Sequence, residues 1–322
     1  MIAPWLLPSW QLLQASRRAD RLPHALLLAA PPGLGQREFA NALVAALLCQ
    51  DNTADGFACG RCRSCQLLAA GSHPDYRSIG LELNEQDKPR REIVIEQIRD
   101  LCERSARTSQ FGGHRLALID PADKLNRSAA NALLKTLEEP DAGAIFVLLA
   151  EQPGRLPATL RSRCQRIEIP LPSREQALQW LGAEGIPAAT AAAALELADG
   201  NPGEAKALAA PAVQGLLADL IEDIAALAAG QALGPILSRW DDDQAELRLR
   251  SLNRLLTAAL LGRKTAESAG IKRVRELLAD ADFKRLSDAW DRINWIRAQL
   301  DSTLRPELLL AEAADALRAA WH

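Results

Sequence analysis

Aromatic residues are scarce in this 322-residue chain: one Tyr, five Phe and seven Trp make up 4% of it. An all-β sandwich draws on aromatic and β-branched side chains, so this shortage, beside abundant Ala and Leu, points to packed helices. An excess of basic charge is also lacking. With 38 basic and 41 acidic residues the net charge is −3, which does not suit a protein that grips long duplex DNA unaided. No run reaches the roughly 18 apolar residues that span a bilayer. The opening Met1-Ile2-Ala3-Pro4-Trp5-Leu6-Leu7-Pro8 carries no basic stretch ahead of an apolar one and no small-residue cleavage site. No signal peptide and no membrane partner are therefore expected. The six cysteines then belong in a reducing, cytoplasmic setting, where metal ligation or burial comes before disulfides. What is present is a globular composition, 48% apolar and 25% charged, in a chain long enough for two or three domains.

The first half alternates short apolar runs with helical periodicities. Ala25-Leu26-Leu27-Leu28-Ala29, Leu116-Ala117-Leu118-Ile119 and Ile145-Phe146-Val147-Leu148-Leu149 read as buried strands. Between them Ile95, Ile98, Leu101, Cys102 and Ser105 recur at steps of three and four, as on a helix. A further helix is expected from Ser128 as N-cap to Pro140 as stop, with Ala132, Leu133 and Leu137 facing inward. Continuous apolar strands separated by helices predict a parallel sheet covered on both faces. A last strand, Arg166-Ile167-Glu168-Ile169, ends at Pro170.

After Pro172 the strand signal stops. Residues 173–208 predict two or three short helices, and longer amphipathic helices follow from about 209. Leu216, Leu217, Leu220, Ile221, Ile224 and Leu227 make one apolar stripe; Phe283, Leu286, Trp290, Ile293 and Leu300 make another. The expected domains are an α/β domain over 1–170, a small helical domain over 171–208 and an all-helical domain over 209–322. Asp241-Asp242-Asp243 reads as a solvated loop.

The first strand runs into Ala30-Pro31-Pro32-Gly33-Leu34-Gly35-Gln36-Arg37. A working phosphate loop is G-x-x-x-x-G-K-[ST] at a strand-to-helix turn, where the Lys reaches phosphate and the hydroxyl holds Mg²⁺. Here Ala30 stands for the first Gly, Gln36 for the Lys and Arg37 for the hydroxyl residue. The second strand delivers Asp120, but Pro121 follows where a water-polarising carboxylate belongs. Frame and position are kept while the charge and the metal ligand are lost, so no ATP hydrolysis is expected from this loop. An ordinary strand–turn–helix with packing glycines accounts for the same letters.

Cys49, Cys59, Cys62 and Cys65 are spaced C-x₉-C-x₂-C-x₂-C. Four thiolates suit tetrahedral Zn²⁺, and with no open position for water such an ion is structural. An iron–sulfur cluster is the rival, although the fourth cysteine lies upstream and no Cys-Pro follows. Cys102 and Cys164 read as packed thiols. His24, His73, His114 and His322 form no catalytic spacing, and His73, beside Pro74-Asp75, reads as loop. In Ser162-Arg163-Cys164, ahead of the last strand, the arginine taken alone reads as a solvated charge or an ion pair.

Taken together, several segments resemble the clamp loader of bacterial DNA polymerase III, within the AAA+ superfamily. They are Ser128-Ala129-Ala130-Asn131-Ala132-Leu133-Leu134-Lys135-Thr136-Leu137-Glu138-Glu139-Pro140, the four-cysteine insert, His73-Pro74-Asp75 and Ser162-Arg163-Cys164, in that family's order. The likeness runs from about residue 20 to 208; beyond that only length and helical character agree with the family's collar domain. It implies an AAA+ parallel-sheet domain, a helical lid and a collar that assembles with partners.

The degenerate loop, with Ala150 at the family's sensor threonine and Gly203 at its sensor arginine, sets the chain apart from the gamma and tau ATPase subunits. The resemblance implies a non-hydrolysing subunit of the polymerase holoenzyme. Its Arg163 would enter the ATP site of a neighbouring gamma or tau subunit as an arginine finger, a role that suits a planar, permanently charged fork. The implied partners are the gamma/tau and delta subunits, with the sliding clamp and primed DNA reached through the complex. Two other readings stand beside it. One is an autonomous ATPase. The other is a zinc-dependent nucleic-acid module contacting phosphate through Arg61 and Arg63.

Overall fold

Every residue of β1 (Ala25–Ala29) and of β4 (Ala144–Ala150) is buried, as unbroken apolar runs require when helices cover both faces of a sheet. The computed structural model describes residues 2–83, 90–240, 244–260, 269–300 and 305–321. The expectations for Met1, for Asp241-Asp242-Asp243 and for His322 lie outside the described residues. The chain divides into two compact units, Met1–Leu171 and Pro172–His322.

In the first unit the chain runs α1 (Leu7–Arg18), β1, α2 (Gln36–Leu48), α3 (Arg63–Ala69), β2 (Tyr76–Ile79), α4 (Ile95–Ser105) and β3 (Arg115–Ile119). It continues through α5 (Arg127–Glu138), β4, α6 (Ala158–Arg161) and β5 (Gln165–Ile167). The five strands are all parallel, in the order β2-β3-β4-β1-β5. Packed on one face, Ile98 and Leu101 of α4 and Ala129, Ala130, Leu133 and Leu137 of α5 join Leu27, Ala117, Phe146 and Leu148 of the sheet.

Three differences from the sequence reading have local causes. β2 was not expected, because Arg77 and Ser78 are both exposed on an edge strand and break the apolar run. β5 spans Gln165–Ile167 rather than Arg166–Ile169. And α5 is capped by Asn126, not Ser128: Asn126 Oδ1 accepts from the Ala129 N–H at 2.8 Å, which moves the cap two residues upstream; Ala132 is only partly buried.

The second unit is helical: α7 (Arg174–Ala183), α8 (Ala188–Leu197), α9 (Pro202–Leu208), α10 (Pro211–Ala228), α11 (Leu233–Leu237), α12 (Ala245–Leu260), α13 (Ala269–Leu278), α14 (Phe283–Gln299) and α15 (Pro306–Arg318). Leu216, Leu217, Leu220, Ile224 and Leu227 of α10 are buried as the stripe requires, with Ile221 packed at its margin. On α14 the stripe is corrected. Phe283 is 78% exposed, since it occupies the first helical position after the Asp282 cap; Leu286, Ala289, Ile293 and Ile296 carry the burial instead. No helix among the described residues is long and apolar enough to cross a membrane.

Candidate functional site

The chain leaves β1 at Ala30 and turns into α2 through two glycines in the left-handed region, Gly33 at φ 93° and Gly35 at φ 86°. Such turns aim the first amides of a helix at an anion. The Trp5 indole donates to the Leu34 carbonyl at 3.0 Å, and a Cβ on Gly35 would stand 3.2 Å from Leu6 Cδ1. The N-terminal segment therefore lies against the loop.

The substituted side chains fill this turn from within. Gln36 is buried, and its amide nitrogen donates back to the carbonyls of Pro31 (3.1 Å) and Ala30 (3.4 Å). Arg37 reaches across to the end of β3, where its Nε lies 2.6 Å from Asp120 Oδ2 and its Nη2 3.2 Å from Oδ1. Glu151 Oε1 stands 3.7 Å from the same guanidinium. The bond to Asp120, against a smaller effect of burial, holds the Arg37 proton more tightly than usual. In a working loop Mg²⁺ is held between the hydroxyl residue and the acidic residue at this place. Here a fixed cation from the chain itself contacts the acid.

A second constellation lies at the end of α2. The Sγ atoms of Cys49, Cys59, Cys62 and Cys65 all lie within 4.8 Å of one another, with Cys49 and Cys62 at 4.0 Å. Four sulfurs about 2.3 Å from one tetrahedral ion would be about 3.8 Å apart. The site thus fits a single ion better than a cluster of several irons, which would hold its thiolates farther apart. Backbone N–H groups of Asp51 and Cys59 point at the Cys49 sulfur (3.4 and 3.3 Å), that of Cys62 at Cys59 (3.4 Å) and that of Cys65 at Cys62 (3.4 Å). Such donors stabilise thiolate. They lower Cys59, chiefly through Arg61 and Cys62. Burial opposes the same effect at Cys62, yet the amides of Gln50 and Cys65 bring it to about 6. Burial pushes Cys65 up to about 12. Outside this set, burial also raises Cys102 and takes Cys164 to about 11. Arg61, an expected phosphate contact in the zinc-module reading, pairs with Asp51 at 3.1 Å in a fully exposed position.

Arg163 follows α6 and precedes β5. Its Nη1 donates to the Thr159 carbonyl at 2.9 Å, and its Nη2 lies 2.5 Å from Glu138 Oε1, on the last residue of α5. The side chain is 35% exposed. In the sheet register Leu26 pairs with Gln165, so Arg163 stands ahead of the start of β1. The phosphate loop follows the other end of β1, and at about 3.3 Å per residue the length of that strand separates the two. Arg163 is thus remote from the phosphate loop of its own chain.

Residues 8–173 match a family model described as "DNA polymerase III, delta subunit". The DNA polymerase III subunit delta' of Pseudomonas aeruginosa is 41% identical over 244 residues, which are 74% of this chain and 71% of that protein. The chain belongs to the DNA polymerase III delta-prime family. The Escherichia coli K12 delta-prime subunit is also 41% identical, over 206 residues that cover 64% of this chain and 60% of that protein. A DNA polymerase III gamma subunit-related protein from Thermotoga maritima shares the fold, with a TM-score of 0.50 at 17% identity, covering 97% of this chain and 100% of that one.

In this delta-prime chain the His73-Pro74-Asp75 segment is a loop, as its sequence indicates, but a buried one that acts as a brace. His73 and Asp75 are 5% and 6% exposed. The Ser64 hydroxyl donates to the Leu48 carbonyl (2.6 Å) and meets His73 Nε2 at 2.8 Å, while His73 Nδ1 accepts the Asp75 N–H at 3.1 Å. A neutral imidazole protonated on Nε2 satisfies all three bonds, and burial lowers the His73 pKa. The Asp75 carboxylate accepts from Ser109 Oγ and from the amides of Gln110 and Phe111. Ser64 and His73 have the spacing of a nucleophile and base, but a backbone amide, not the carboxylate, meets Nδ1, so the set braces the cysteine insert against β2 instead of catalysing.

Proposed function

We propose that this chain is the non-hydrolysing delta-prime member of a cytoplasmic clamp loader. It acts on ATP chemistry through Arg163, delivered into the ATP site of a neighbouring gamma or tau subunit during loading of the sliding clamp onto primed DNA. The observation that carries the reading is the strand register: Arg163 lies at the opposite end of β1 from its own phosphate loop, so any phosphoryl group it serves belongs to another chain. The Arg37–Asp120 contact supports it, because a Mg²⁺ at Asp120 must displace a guanidinium already forked onto both oxygens. Such a trans arginine stabilises the charge that develops on the transferred phosphoryl group.

Cys49, Cys59, Cys62 and Cys65 hold a structural Zn²⁺ that closes the insert between α2 and α3. Residues 171–208 act as the lid and 209–322 as the collar that joins the delta and gamma/tau subunits. The test is ATP turnover by the isolated chain and by its mixture with gamma-type subunits. The solitary chain is expected to release no phosphate, and its addition is expected to raise turnover in a manner that needs Arg163. Sustained phosphate release by the chain alone overturns the reading.

A further inference from the structure

We propose that a cleft at the C-terminal end of α4, on the β2 edge of the sheet, binds phosphate groups. The cleft has a volume of about 360 Å³, and four arginines line it: Arg77, Arg104, Arg107 and Arg115. That volume admits a small ligand, and guanidinium forks match phosphate oxygens two at a time.

The local charge balance is what distinguishes the place in a chain of net charge −3. One lining carboxylate, Asp75, is spent on Ser109 Oγ (2.9 Å) and the amides of Gln110 (2.9 Å) and Phe111 (3.0 Å). Asp100, which does not line the cleft, is shared between Arg104 at 2.9 Å and Arg77 at 3.6 Å. All three of those side chains are about half exposed, where ion pairs are weak. Arg107 is exposed and has no ion pair among the described residues. Arg115 donates to the Arg107 carbonyl and to the Ala142 carbonyl, the latter at 2.6 Å. Among the described residues, Arg115 Nε is buried and meets no hydrogen-bond partner. Among the described residues, the four guanidiniums are therefore met by one lining carboxylate, already spent, and by Asp100 beside the cleft, and an anion completes the set. This site lies at the opposite edge of the sheet from Arg163, and it holds or fails independently of the proposed trans finger.

The phosphate has two possible sources, a free polyphosphate or a nucleic-acid backbone, and one experiment separates them. The full chain at low salt is titrated with pyrophosphate by calorimetry and with a fluorescent oligothymidylate by anisotropy. The variants are Arg104→Gln/Arg107→Gln, two exposed side chains whose loss leaves the core untouched, and a control, Arg273→Gln/Arg318→Gln, on the helical unit. The cleft variant is expected to lose at least about tenfold in affinity with an unchanged circular dichroism spectrum, and the control to bind as wild type. Loss toward the oligonucleotide alone assigns the backbone as source; loss toward pyrophosphate assigns the free anion. No binding of either probe, or equal binding by wild type and cleft variant, overturns the proposal, as does an equal loss in the control.

Discussion

Glu138 Oε1 stands 2.5 Å from the Arg163 guanidinium, tying the end of α5 to the loop before β5. Both side chains are a third to a half exposed, and pairs of that kind contribute about 1 kcal/mol or less. The pair keeps the arginine oriented without holding it fast, so a phosphate of higher charge can draw the guanidinium away.

Glu138→Gln is accordingly expected to shift the urea midpoint of the chain by an amount equivalent to less than about 1 kcal/mol. ATP turnover by the assembled loader should stay within about threefold of wild type. A loss as deep as that of an Arg163 variant would make Glu138 a positioning residue.

The phosphate loop gives a second test. Gln36→Lys/Arg37→Thr removes the side chain that folds back on the loop and frees Asp120 from its guanidinium. Mg²⁺ with ATP is expected to raise the melting temperature of this variant, as a ligand that binds only the folded state does, and to leave wild type unshifted. An equal shift in wild type would mean that Arg37 does not obstruct the site.

Metal analysis of the purified chain is expected to give close to one Zn²⁺ per molecule, and Cys62→Ser to lower that content. Because the ligands bind as thiolates, metal affinity falls as pH falls. A chelator should therefore strip the ion faster at pH 6 than at pH 8. Stripping that does not depend on pH would contradict thiolate ligation.

Cys164 supplies a pH-dependent term of its own. Burial raises its pKa from 9.0 to about 11, so the neutral thiol is favoured in the folded chain. Its stabilising contribution is complete below pH 9 and is lost as pH rises toward 11, at about 1.4 kcal/mol per pH unit and at most about 3 kcal/mol overall. Urea unfolding at pH 8.5 and 10.5 should show a smaller difference in Cys164→Ala than in wild type. Equal differences would refute the assignment.

The legible parts of this molecule were those where one physical constraint acted alone. Buried parallel strands must be continuously apolar, and β1, β3 and β4 were found that way. The cysteines declared themselves by spacing, and the structure brings all four together. β2 was hidden because an edge strand need bury only one end, and Tyr76-Arg77-Ser78-Ile79 does so. His73 was legible as loop, but its burial was not, because that depends on Ser64 and Leu48, partners elsewhere in the sequence. Arg37 was legible as a lost hydroxyl, but not as a cation on Asp120, since at a sequence separation of 83 nothing local signals that contact. Phe283 failed for the opposite reason: its periodicity was right and its place in the first turn overrode it.

Single-turnover ATP hydrolysis in a reconstituted loader carrying Arg163→Ala or Arg163→Lys in this chain alone separates a trans finger from a surface charge. Both variants are expected to keep the fold and ATP affinity while slowing hydrolysis at the one neighbouring site by about 10³-fold or more, with lysine failing to rescue because it lacks the planar fork. Hydrolysis at the wild-type rate at every site in either variant would contradict the account.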